Sequence, residues 1–153
     1  MTKRWVICDI DGTLADISHR RSFVRNGKKD WKSFLAPEQV ALDAPNKPVI
    51  DVVNSLAYTG IKVVTFSGRN ERLRQTTLDW FTKHGVYGVS ESFFREDHDF
   101  RRDDIVKEEM FHDVRNMAGC DPLFAIDDRK QVVDMWIRLG VFVFDVAQGQ
   151  GDF

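Results

Sequence analysis

Cysteine is nearly absent from this chain. The two that occur, Cys8 inside an apolar run and Cys120 beside a turn, are too few and too scattered for a disulfide framework or a zinc cluster, and a reducing, cytoplasmic setting is expected. An excess of either charge is missing too: 22 Lys+Arg against 24 Asp+Glu give a net charge of -2. That balance excludes a uniformly basic nucleic-acid coat or a membrane-surface protein, so any polyanion must be met by a local patch. Long apolar runs are lacking. The first begins at Trp5 and meets acid at Asp9, too short for a signal peptide or a membrane span, so the fold is expected to begin with it and no membrane partner is expected. There is no internal repeat, no low-complexity tract and no Gly-x-x-x-x-Gly-Lys-Ser/Thr loop, which excludes a P-loop kinase. His19, His84, His98 and His112 show no paired helical spacing for a metal. Neither cysteine is followed six positions later by arginine, since Leu14 and Ile126 stand there, which excludes a cysteine-based phosphatase.

What is present is an alternation of strand and helix signals over 153 residues of which 42% are hydrophobic, enough for one globular domain spanning 1–153. The alternation predicts an α/β fold, a parallel sheet with helices on both faces. Trp5 to Cys8 reads as a buried strand and Lys47 to Tyr58 as a helix opened by Pro48 and closed by Gly60. Ile61 to Phe66 reads as a strand, Ser67-Gly68-Arg69-Asn70 as the entry to a helix running through Phe81, and Val89 to Phe94 as a strand. A helix follows over 103–117, with Ile105, Val106, Met110, Phe111, Val114 and Met117 at spacings of one, three and four on one face. Leu123 to Ile126, Lys130 to Leu139 and Val141 to Phe144 complete the pattern as strand, helix and strand, giving five parallel strands. Residues 16–46 interrupt the rhythm. They are basic early on and carry Trp31, Phe34 and Leu35 at helical spacing, which predicts a small helical, cap-like insertion over the carboxyl edge of the sheet.

The chemistry concentrates at that edge. In an extended strand residues i and i+2 share a side, so Asp9 and Asp11 put two carboxylates together where the first strand ends. Such a pair is costly unless a cation lies between the acids or one of them holds a proton, and both solutions serve phosphoryl transfer. Gly12 lets the backbone turn sharply beside a ligand. Ser67 offers a hydroxyl, and a backbone N–H follows it, at an expected helix N-terminus. Lys107 shares a helix face with Asp103 and can supply positive charge. Asp127-Asp128, directly after a strand, offers the hard oxygens that magnesium prefers. Taken singly, Ser67 reads as a helix cap, Asp103 with Lys107 as an exposed ion pair, and Asp127-Asp128 as a cap of the next helix. Their order along the chain carries the signal.

The set Asp9-Ile10-Asp11-Gly12-Thr13, Ser67, Lys107 and Asp127-Asp128 resembles the four motifs of the haloacid dehalogenase superfamily of aspartate-based phosphatases, whose three-layer Rossmann-like fold the element pattern matches. Ser67-Gly68-Arg69, Arg102 to Glu109, Ala125 to Arg129, Gln131 to Trp136 and Gly151-Asp152-Phe153 are similar to the 3′-phosphatase domain of bacteriophage polynucleotide kinase/phosphatase. That resemblance implies Asp9 as nucleophile, Asp11 as general acid and base, and a magnesium site shared by Asp9, the Asp11 carbonyl and the Asp127-Asp128 pair. It also implies phosphate or substrate contacts from Thr13, Arg20 or its neighbour Arg21, Ser67, Gly68, Arg69 and Lys107, with Asp103 in support. The implied activity is magnesium-dependent removal of the 3′-terminal phosphate of DNA or RNA ends through an aspartyl-phosphate, in end repair, with a separate kinase or ligase as a possible partner.

Two other functions fit parts of the pattern. A mononucleotidase or small-molecule phosphatase of the same superfamily would differ in what the 16–46 insertion and Arg95, Arg101 and Arg102 contact. A receiver-like signalling domain also combines five strands, acids, a hydroxyl and a lysine, but its accepting aspartate lies on a later strand and it has no insertion after the first.

Overall fold

A computed structural model describes residues 3–150; the Gly151-Asp152-Phe153 stretch quoted above lies outside the described residues. Strand β1 (Trp5–Cys8) is buried along its whole length and sits at the centre of the sheet. It pairs in parallel with β4 (Lys62–Asn70) on one side and β6 (Ala125–Asp127) on the other. Outside these lie β5 (Val89–Arg95) and β7 (Val143–Asp145), also parallel, so the order is β5-β4-β1-β6-β7.

Because side chains alternate along a strand, β1 feeds two cores. Val6 and Cys8 pack with Ile50, Val53, Trp80 and Phe81, residues of helices α3 (Lys47–Tyr58) and α4 (Arg74–Lys83). Trp5 and Ile7 pack with Phe111, Val114, Val132 and Trp136, from helices α5 (Asp103–Ala118) and α6 (Lys130–Arg138). The result is the expected three-layer α/β arrangement, with every β1 residue apolar because neither face meets water.

Two expectations are corrected. The segment Ser67 to Asn70 continues β4 instead of opening a helix; a short 3₁₀ turn, Glu71–Leu73, precedes α4. The reason is pairing: after a register shift Asn70 still lies opposite Arg95 of β5. Ser67 therefore has no helix N-terminus beneath it. The last strand begins at Val143 instead of Val141.

The insertion between β1 and α3 is tied at its base by an antiparallel pair, β2 (Ala15–Asp16) with β3 (Ala44–Pro45). Between them come a 3₁₀ stretch, Ser18–Phe23, and two single-turn helices, α1 (Trp31–Phe34) and α2 (Pro37–Val40). Asp30 caps α1, accepting from the Ser33 N–H at 3.1 Å. Leu14, Ile17, Val24 and Phe34 join the α3/α4 core, so the insertion is packed down as part of that layer.

Candidate active site

β1 delivers Asp9 to the carboxyl edge, where its N–H donates to the Ile126 carbonyl of β6 at 2.9 Å. Its carboxylate is buried and accepts from Lys107 Nζ at 2.6 Å. Lys107, one turn into α5, also donates to Asp127 Oδ2 at 3.0 Å. Lys107 is thus no exposed partner of Asp103 but a buried ammonium shared by two carboxylates of the site. Burial alone would lower the lysine's proton affinity, but Asp127 and Asp9 outweigh it and hold the side chain charged.

Asp9, Asp127 and Asp128 each offer a carboxylate oxygen, all within 4.8 Å of one another. Burial, then the charge of Asp127, pushes Asp9 well above the ordinary carboxylate range and Asp128 up to about 6. A hard divalent cation is the chemical remedy for such crowding, and three oxygens on two adjacent strand ends suit magnesium. Asp127 is already committed, its Oδ2 to Lys107 and its Oδ1 to the N–H groups of Asp128 and Arg129. Asp9 also accepts at both oxygens, from Lys107 and Thr13, and Asp128 is the least engaged of the three acids. Gly12 is required here: its φ is +84°, and an added Cβ would lie 2.0 Å from Asp128 Oδ2.

Asp11 stands apart from this cluster. Its Oδ1 accepts from Arg20 Nη2 at 2.7 Å and from Arg69 Nε and Nη2 at 3.0 and 2.6 Å. Burial would raise its pKa, yet the two guanidiniums prevail and hold it below the usual carboxylate range. Both arginines are fully buried and both also reach Asp43 Oδ2, at 2.6 and 3.1 Å.

Arg20 and Arg69, which the resemblance implies as phosphate contacts, have their donors on Asp11 and Asp43 here and are not among the residues lining the cavity. The buried hydroxyl of Thr13, another implied contact, donates to Asp9 Oδ2 at 3.1 Å and Asp128 Oδ1 at 3.3 Å. Arg21, the alternative to Arg20, lies 3.6 Å from Asp128 Oδ2. The Asp11 carboxylate is likewise no part of the metal-type cluster, which leaves its carbonyl as the implied ligand.

The Ser67 hydroxyl accepts from the Arg69 N–H at 3.1 Å. Gly68 lines the cavity and leaves room for Asp103, whose carboxylate an added Cβ would meet at 2.5 Å. Asp103 in turn accepts from Arg95 and Arg129. Sequence reasoning missed Asp43. It has no motif around it and is brought to the site only by β3 returning to pair with β2.

Above these residues opens a cavity of about 670 Å³. Asp9, Asp11, Lys107, Asp127 and Asp128 form its floor. Gly68, Asn70, Arg72 and the segment from Arg95 to Asp103 supply one wall, and Lys29, Trp31, Lys32 and Phe34 of the insertion the other.

The sheet order and the acid–lysine floor define the class, a haloacid dehalogenase-type α/β protein. A Streptococcus pneumoniae hydrolase of the haloacid dehalogenase-like family shares the fold, with a TM-score of 0.70 at 13% identity, covering 99% of this chain and 88% of that one. Residues 3–153 match the family described as the polynucleotide kinase PNKP phosphatase domain, and the chain belongs to that family. A protein of Autographa californica nuclear polyhedrosis virus, named as a bifunctional polynucleotide kinase/RNA ligase, is 31% identical over 98% of this chain and 20% of its own length. A chain from the structure of a Pnkp1/Rnl/Hen1 complex is 34% identical with a TM-score of 0.77, over all of this chain and 48% of that one. The chain therefore spans about half the length of that solved relative and a fifth of the viral protein. Among the described residues no helix is long and apolar enough to cross a membrane.

Proposed function

We propose that the protein is a magnesium-dependent polynucleotide 3′-phosphatase with Asp9 as its nucleophile. The observation that carries this reading is the Asp9 carboxylate at the cavity floor, 2.6 Å from the Lys107 ammonium and grouped with Asp127 and Asp128. Asp9, Asp128 and the Asp11 carbonyl would hold magnesium, with Asp127 behind them; when bound it supplies positive charge that keeps the acids ionised and neutralises the phosphate.

Asp9 attacks phosphorus, forming the aspartyl O–P bond as the bond from phosphorus to the 3′ oxygen breaks, while Asp11 gives that oxygen its proton. Water then attacks the aspartyl-phosphate, Asp11 takes its proton, and inorganic phosphate leaves. The two guanidiniums favour ionised Asp11, which is the state the second step uses. For the first step the phosphate dianion counters them, since negative charge seated beside Asp11 raises its proton affinity. Lys107 and the Ser67 region steady the phosphoryl oxygens as charge shifts. The packed insertion keeps the floor dry, and the cations at the cavity mouth, Lys29, Lys32, Arg72 and Arg102, suit a polyanionic strand. Family membership supports the same substrate, and a separate kinase or ligase working on the same ends is the natural partner.

Phosphate release from a 3′-phosphorylated oligonucleotide and from a 3′-mononucleotide, at two ionic strengths with magnesium, tests the reading. The oligonucleotide is expected to be the better substrate and to lose that advantage as salt rises; equal rates at both ionic strengths would favour a mononucleotidase. Asp9→Asn is expected to abolish release, and near-normal turnover by that variant would remove Asp9 as the nucleophile.

A further inference from the structure

The wall of the cavity that follows β5 presents an aromatic ring to solvent. Phe100 is 87% exposed and lines the cavity mouth. Among the described residues it has no ring contact, whereas Trp31 on the opposite wall packs edge-on against Phe34 at 5.5 Å. Single exposed aromatics also occur away from the cavity, at Tyr58 and Tyr87, so what sets Phe100 apart is its place on the cavity lining.

The loop that carries Phe100 is held tightly. Arg95 donates from Nε to the Gly68 carbonyl at 3.0 Å and from Nη1 to the carbonyls of Asp99 and Arg101, the residues on either side of Phe100. Arg101 is bound by Asp99 and Glu109. Asp97 Oδ1 accepts from the Arg72 N–H at 3.0 Å. Arg95 and Arg101, whose contacts the sequence leaves open between a polynucleotide and a small-molecule phosphatase, are thus spent on fixing the loop, and what the loop adds to the cavity lining is Phe100 and Arg102. That cation is two-thirds exposed and paired with Asp104 by two hydrogen bonds, at 3.2 and 3.3 Å, on the protein surface. A flat apolar face held rigidly next to positive charge, at the mouth of a phosphoryl site, matches the chemistry of an unpaired nucleobase: ring for ring, cation for backbone phosphate.

We propose that Phe100 is the stacking platform for the terminal base of the nucleic-acid 3′ end. This rests on the phosphatase reading above. The cavity exceeds the needs of a phosphoryl group alone and falls within the size range that holds a nucleotide-sized ligand.

The test is steady-state kinetics of wild-type protein, Phe100→Ala, Phe100→Leu and Phe100→Tyr on a single-stranded 3′-phosphorylated oligonucleotide, and on the same strand with its terminal nucleotide abasic. Phe100→Ala is expected to raise KM about tenfold on the intact strand, a typical alanine effect for one stacked base. Phe100→Leu is expected to follow alanine, Phe100→Tyr to restore the wild-type value, and the abasic strand to bring all four proteins together. An equal loss on both strands, or a leucine variant as good as wild type, would overturn stacking while leaving the phosphatase reading intact. If wild-type protein hydrolyses p-nitrophenyl phosphate but no oligonucleotide, the substrate reading itself falls, and the Phe100 assignment with it.

Discussion

Asp43 shows how a site can depend on a residue that never meets substrate. Its Oδ1 accepts from Arg20 Nε and lies 2.8 Å from His19 Nε2, while its Oδ2 accepts from Arg20 and Arg69. Its backbone carbonyl accepts from Trp80 Nε1 at 2.8 Å. Two buried guanidiniums are therefore balanced by buried Asp43 and by Asp11 at the cavity floor, and removing Asp43 leaves excess charge among buried groups. Asp43→Ala is expected to destabilise the fold by about 3–5 kcal/mol, the usual cost of breaking a buried pair from one side, as read by urea denaturation. The milder Asp43→Asn keeps the shape but loosens Arg20 and Arg69, and with them Asp11. Its kcat is expected to fall by about 10²-fold, the scale of a small misplacement of a reacting group. A folded Asp43→Asn protein with wild-type kcat would show that Asp11 needs no such support.

Among the elements, α6 has the largest part in positioning the floor, because it starts directly after the Asp127-Asp128 turn. Four of its nine residues, Val132, Val133, Met135 and Trp136, are buried. Trp136 is enclosed by Phe66 of β4 and Phe111 of α5, with ring centroids 6.2 and 5.6 Å away. One side chain thus joins the sheet to both helices of that layer. Trp136→Ala is expected to cost about 3–5 kcal/mol, the range for a truncated core aromatic, and a loss under 1 kcal/mol in urea denaturation would contradict this enclosure. The α6 face was legible from Val132, Val133 and Trp136 at helical spacing. The extension of β4 through Arg69 was not, because Ser67-Gly68-Arg69-Asn70 resembles a turn until β5 lies alongside to pair with it.

At the scale of the whole molecule, the carboxylate cluster ties stability to pH and metal. With the folded-state pKa of Asp128 raised to about 6 from an ordinary 3.8, the folded chain binds more protons than the unfolded chain between those values. This group's contribution is full below the ordinary value and is lost as pH rises through about 6, so the metal-free protein is weakened there. Asp11 runs the opposite way, its lowered pKa giving stability that is lost only as pH falls below the ordinary carboxylate range. On the proposed function, magnesium held by this cluster would take over the role of the proton at neutral pH. Saturating magnesium is expected to raise Tm more at pH 7.5 than at pH 5, in thermal unfolding followed with and without chelator; an equal shift at both values would place the ion away from this cluster.

The sequence by itself determined the class of fold and which acids, Asp9, Asp127 and Asp128, meet at the edge of the sheet, but not Asp43. Continuous apolar runs mark strands buried on both faces, and Asp9-Ile10-Asp11-Gly12, Lys107 and Asp127-Asp128 occur at the ends of such runs or just beyond, where a parallel sheet gathers them. Those signals are local, written in spacing of two or three to four residues. Tertiary structure decided what each charge faces. Arg20, Arg69 and Thr13 read as substrate contacts in the sequence, yet the fold turns them toward carboxylates, because a buried donor must find an acceptor and the nearest ones were Asp9, Asp11, Asp43 and Asp128. Asp43 and Phe100 carry no motif. Their roles come from pairings between residues 23 or more positions apart for the one, and from a loop pinned by Arg95 for the other, and neither relation exists until the chain has folded.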